Sequence, residues 1–140
     1  MNRMQNRDLI LGERIMYADA ETPVNCSFTV TIRGRPDEES LRLALGKLQS
    51  RHPLLRACIR EGANGRPYFV FDEMMRHIPI RTMDRLADDD WVSLSESEWA
   101  TPFDMKEGPL ARLLWLRAGT VSELMIVCPH CIAMGLPLSH

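Results

Sequence analysis

Along the chain the apolar residues change period several times, and each change predicts an element. From Val24, the residues Cys26, Phe28, Val30 and Ile32 alternate with Asn25, Ser27, Thr29 and Thr31. Period two with polar partners predicts a strand with one wet face, ended by Gly34 and Pro36. The stretch DEESLRLALGKLQSR then shifts to helical spacing, with Leu41, Ala44, Leu45 and Leu48 on one core-facing stripe. Asp37 stands at the N-cap, Glu38 and Glu39 suit the positive end of the dipole, and Lys47 and Arg51 suit the other end. Pro53 closes the helix. Near the start, Asp8 is placed to cap a short helix whose Leu11, Ile15 and Ala18 share a face, weakened by Gly12.

Leu55, Ala57 and Ile59 alternate again, and GANGRP centres a turn on Asn64-Gly65, so a hairpin returning through Tyr68 to Phe71 is expected. Ile78 and Ile80 predict a short edge strand. Asp88 to Asp90 precede a helix carrying Trp91, Leu94 and Trp99, which TPFD terminates. Leu113 to Leu116 and Leu124 to Val127 are apolar on both faces and joined through Gly119, as central strands are. Helices interspersed with strands and joined partly by hairpins predict an α+β fold with a mixed β-sheet and flanking helices.

Length sets the scale: 140 residues make one domain, with no repeat, low-complexity tract or linker. A hydrophobic content of 45% and a charged content of 26% are those of an ordinary globular protein. A net charge of -2 provides no field for a phosphate backbone, so nucleic acid is not an expected partner. The opening MNRMQNRDLILGERIMY is interrupted by Asp8, Gly12 and Glu13, so neither a signal peptide nor a membrane span is expected and the default location is cytoplasmic. Four scattered cysteines are too few for a secreted disulfide framework. The nine methionines suit an irregular core or an adaptable pocket.

The most chemically suggestive stretch is Cys128-Pro129-His130-Cys131. A redox dithiol of this spacing needs a full helix after the pair, and Gly135 and Pro137 follow too soon. A zinc site from Cys128, His130, Cys131 and His140 has suitable ligand types. On a strand, however, His130 and Cys131 would point to opposite faces. The bland reading makes both thiols small buried hydrophobes, packs His52 beside its helix terminus and leaves His77 in a solvated loop.

Taken together, four segments resemble the condensation domains of nonribosomal peptide synthetases and their relatives among the CoA-dependent acyltransferases. LILGERIMY is similar to the family's first helix motif. RHPLLRACI carries Arg51, His52, Leu55 and Arg56 of an Arg-His-x-x-Leu-Arg segment. TPFDMKEGPLARLLWL carries Pro102, Phe103, Asp104, Gly108, Pro109 and Leu110 of the stretch that leads into a central strand. MIVCPHCIAMG falls at the family's His-His-x-x-x-Asp-Gly, with Pro129 for the first histidine, Met134 for the aspartate and Gly135 for the glycine.

The resemblance implies half of a chloramphenicol-acetyltransferase-like two-lobe fold, with residues 1–140 an incomplete N-terminal lobe. It implies that His130 stands where the family keeps a general base, acting on an acceptor that attacks a thioester; a neutral imidazole of pKa ~6.5 suits that work. It implies that the missing aspartate leaves Arg51 or Arg56 to find another partner or solvent. No bound cofactor is implied, only an acyl-CoA or acyl-carrier thioester as co-substrate of an active form. A lobe without its covering helix exposes apolar sheet surface, so a homodimer, a partner protein or an apolar acyl ligand is expected.

Overall fold

A computed structural model of the chain describes residues 6–17, 24–71 and 76–134. The elements follow the order β1 (Arg7–Asp8), α1 (Leu11–Tyr17), β2 (Asn25–Arg33), α2 (Glu38–Arg51), a 3₁₀ turn (Pro53–Arg56), β3 (Ala57–Glu61), β4 (Pro67–Phe71), β5 (Ile80–Asp84), α3 (Asp90–Trp99), β6 (Arg112–Arg117), β7 (Val121–Pro129) and the single turn α4 (His130–Ala133). Two sheets result. A small antiparallel one has the order β1-β4-β3, and a mixed one has the order β2-β7-β6-β5. In the mixed sheet β5 runs parallel to β6 and the other pairings are antiparallel.

The two doubly apolar runs are the inner strands, as their composition predicts. Leu113, Leu114, Trp115 and Leu116 of β6 are all buried, and so are Met125 and Val127 of β7. β5 is the edge that Ile80 suggests, and β3 and β4 form the expected hairpin, with Gly65 at a positive φ of 78° in its turn. Most of the core is one cluster drawn from residues of both sheets and their connections, in which Leu55, Ile59, Phe69, Ile78, Leu110 and Ile132 are fully enclosed. A smaller cluster of Leu114, Met125 and Val127 lies under Leu94 and Phe103.

α2 starts as its sequence predicts: the Asp37 side chain accepts from the Ser40 N–H at 3.0 Å and from the Ser40 hydroxyl at 2.7 Å. Its apolar stripe sits higher than expected. Leu41, Leu45 and Leu48 are half-buried and Ala44 is exposed, while the fully buried residue is Gln49. That amide donates to the Leu55 carbonyl at 3.0 Å and to the Arg76 carbonyl at 2.7 Å, tying the helix to the turn after it and to the approach to β5.

Two local expectations give way. Asp8 lies in β1 rather than at a cap, and Glu13 does the capping by reaching back to the Ile10 N–H at 2.9 Å. In β2 the wet and dry faces are exchanged. The polar row meets α3: Asn25 is buried and donates to the carbonyls of Glu98 and Thr101, and the Trp99 indole N–H donates to the Ser27 hydroxyl. The apolar row carries Phe28 at 42% and Val30 at 59% exposure. The reason is the sheet order. β2 is an edge strand, and alternation says which side chains share a face without saying which face acquires a cover.

Candidate functional site

The site of interest is the end of β7. The strand runs to Pro129 and pairs with the whole of β2, Asn25 against Pro129 through Arg33 against Val121. Pro129 lies beyond the last β6 partner, Arg112 against Val127, so the missing N–H costs no bond on that side. The chain then turns into α4. His130 is its first residue, and the His130 N–H donates to the Val24 carbonyl at 2.7 Å, holding the turn to the beginning of β2. The imidazole is half-buried and makes no hydrogen bond among the described residues. Beside α4 runs α1, so close that a Cβ on Gly12 would come within 2.8 Å of Met134 Cε.

His130 and Cys131 therefore follow one another on a helical turn, which corrects the expectation of a strand there. Proline at 129 and a backbone bond spent on Val24 release the next residues from the ladder. Cys128 and Cys131 are buried, as the bland reading has them. Burial pushes the Cys131 thiol up to about 12. Among the described residues no group of three or more His, Cys, Asp or Glu is placed to hold a metal ion. Gly135 and His140 lie outside the described residues.

The Arg-His-x-x-Leu-Arg segment forms the corner between α2 and β3. Arg51 ends α2 in solvent, and the His52 N–H closes the helix on the Leu48 carbonyl at 3.0 Å. Leu55 is packed in the core. Arg56 is half-buried, and its Nε is enclosed without a hydrogen-bond partner. It lines a small hollow with Cys58, Pro109 and the ion pair of Arg76 and Glu107, whose charged atoms are 2.9 Å apart.

The TPFD segment and its continuation are a braced loop. Asp104 accepts from the N–H groups of Lys106 and Glu107, and its carbonyl accepts from Gly108. Gly108 has φ 65°, precedes a cis peptide to Pro109, and lies where an added Cβ would come 3.1 Å from the Ala57 carbonyl oxygen. Phe103 reaches both apolar clusters and carries the Arg112 guanidinium 4.1 Å from its ring centre. Arg112 also donates to the Glu98 carboxylate at 2.7 Å and to the carbonyls of Glu98, Thr101 and Pro102. None of the residues of these two segments hydrogen-bonds to His130 among the described residues.

Sequence reasoning misses Asn25, Glu98 and Cys26. Asn25 and Glu98 hold α3 and the loop after it to the sheet, and Cys26 lies opposite Cys128. Asn25 looks like any polar member of an alternating strand, and Glu98 like a surface residue of a helix. Only the packing of α3 on β2 separates them from their neighbours.

The model of the condensation domain family matches residues 1–136 of this sequence. No curated protein matches it. Several solved structures share its fold. The first condensation domain of the calcium-dependent antibiotic synthetase, in complex with a substrate analogue, is 15% identical with a TM-score of 0.75; 92% of this chain and 35% of that one are covered. The tallysomycin biosynthesis protein TlmII is 23% identical with a TM-score of 0.69, covering 89% of this chain and 31% of its own. A four domain nonribosomal peptide synthetase bound to AMP and glycine is 18% identical with a TM-score of 0.67, covering 94% and 11%. This chain thus spans about a third or less of the length of the structures it resembles. With the family model matched along nearly all of its length, and with an α+β lobe of the same fold, the chain belongs to the condensation domain family.

Proposed function

We propose that residues 1–140 act as an incomplete N-terminal lobe of the condensation fold that binds and oligomerises and does not catalyse alone, a second copy of the chain being its partner. The observation that carries this reading is the apolar row of β2. Phe28 and Val30 stand exposed on a nine-residue edge strand whose outer backbone groups have no ladder partner among the described residues. Edge strands left bare in this way are sites of pairing, and most proteins blunt them with charge or proline. Between Cys26 and Ile32 this strand carries neither. The chain works in the cytoplasm on this reading, a compartment whose reductants return oxidised thiols to the free form that its four cysteines have here.

A second reading rests on His130. A half-buried imidazole that makes no hydrogen bond among the described residues, on the turn whose backbone is tied to the start of β2, supports an acyltransferase assembled from two subunits or with a partner chain. His130 would remove the proton of an acceptor amine or hydroxyl as the acceptor oxygen or nitrogen bonds to the thioester carbonyl carbon. The carbon–sulfur bond then breaks and the thiol leaves with the proton. The acyl-CoA or carrier thioester is the co-substrate here. Holding both reactants needs a facing wall, because positioning supplies much of the rate in such chemistry.

The experiment combines mass in solution with thioester turnover, comparing the unaltered chain with Val30→Asp and His130→Ala. The proposal expects a dimer that Val30→Asp converts to a monomer, with turnover the same in the unaltered chain and His130→Ala. A monomer at all concentrations refutes the oligomerising reading. Turnover that vanishes in His130→Ala replaces it with the enzyme.

A further inference from the structure

The register of β2 on β7 sets Cys26 directly opposite Cys128, and their sulfurs are 3.9 Å apart. Neither is bridged. The two are not equivalent. Cys128 is 1% exposed on an inner strand, whereas Cys26 is half-buried on the edge strand, in the row that exposes Phe28 and Val30. The contact between the two sulfurs holds the Cys26 pKa below that of a free thiol, and the same contact raises that of Cys128. Cys58 is buried on β3 in the other sheet.

We propose that Cys26 and Cys128 are a reversible thiol switch, closing a cross-strand disulfide when the half-buried Cys26 reacts with a hydroperoxide. In the first step the Cys26 thiolate bonds to one peroxide oxygen and the oxygen–oxygen bond breaks. The departing oxygen takes a proton and leaves as water or an alcohol, and Cys26 is a sulfenic acid. In the second step the Cys128 sulfur bonds to the Cys26 sulfur and the sulfur–oxygen bond breaks. Hydroxide leaves with the Cys128 proton as water. Two thiols have given two electrons to one peroxide.

The strand geometry favours a bridge that opens again. Since the His130 N–H bonds to the Val24 carbonyl, the alternation of the ladder makes Cys26 and Cys128 a hydrogen-bonded pair. Such pairs have Cα atoms about 5.5 Å apart, inside the span of a disulfide. Their Cβ atoms lie about 4.5–5.5 Å apart, whereas a bridge draws them to about 3.8 Å. The strands must draw together locally, and a disulfide closed under that load is readily reduced. It would tighten the ends of both strands two residues before His130. A second copy docked over β2 would slow the reaction without altering which sulfurs pair, so this inference does not depend on the proposed function.

The test treats the reduced full chain with hydrogen peroxide and follows intact mass and linked peptides. The expected product is lighter by the two thiol hydrogens, contains a peptide joining Cys26 to Cys128, and returns to its starting mass with a small thiol. Alkylation of the untreated protein is expected about tenfold faster at Cys26 than at Cys58. Cys128→Ser is expected to leave a sulfenic acid at Cys26 that a cyclic 1,3-dione captures. A bridge to Cys131 or Cys58, a bridge between chains, or equal reactivity at Cys26 and Cys58 would overturn the proposal, and the unaltered chain alone suffices to decide it.

Discussion

At the scale of single residues, the segments that carry the family resemblance are distinguished here by the bonds they make. Arg112 gathers a buried carboxylate, three carbonyls and an aromatic face in one place. Removing its partner leaves a mostly enclosed cation, which costs more than the pair contributes. Glu98→Ala is therefore expected to lower stability by about 3 kcal/mol. In a thermal melt that is a fall of about 10 °C. Replacing both partners by Leu and Met should recover part of the loss, and an unchanged melt for the single variant would refute the account. Gly108 is needed for a different reason. Its positive φ and the nearby Ala57 carbonyl together exclude a side chain, so Gly108→Ala should cost about 1–2 kcal/mol, read by urea denaturation.

At the scale of elements, the capping interactions place a pH dependence. Asp37 is held below the ordinary carboxylate range by the Ser40 hydroxyl and N–H, and Asp90 by the N–H groups of Ala87 and Leu86. A depressed folded pKa stabilises above the unfolded value and is lost as pH falls through the folded one. The contribution is thus intact at neutral pH and disappears below about pH 4. Asp37→Asn keeps an N-cap acceptor without the charge, so its melting temperature should fall less steeply than that of the unaltered chain in that window. Asp37→Ala should lower the melt by a few degrees at neutral pH, with a loss of helical signal. Equal slopes for Asp37→Asn and the unaltered chain would show that the charge at this cap is idle.

At the scale of the whole molecule, the exposed row of β2 predicts a stability that depends on concentration. Association through a folded face stabilises by mass action, so the melting temperature should rise as the protein is concentrated. Val30→Asp should abolish that dependence while leaving the melt of the dilute protein nearly unchanged, since Val30 is already exposed. A concentration-independent melt for the unaltered chain would argue against self-association.

Much of this molecule is written in its local patterns. The Asp37 cap and the helix behind it, the hairpin turned at Gly65 and the two doubly apolar strands all follow from spacing of a few residues, because periodicity and turn chemistry act over that range. The resemblance to the condensation family rests on four short motifs in order along the chain, and the family model matches residues 1–136. Which face of β2 is covered, why Gln49 rather than the leucine stripe is fully buried, and why Glu98 is enclosed depend on where α3 and the second sheet settle. The Cys26–Cys128 contact belongs with them. The two residues are far apart along the chain and meet only through the register of an antiparallel pair. Period two repeats the same pattern on either face and at every even shift, so the sequence determines which residues alternate, and only packing decides what they touch.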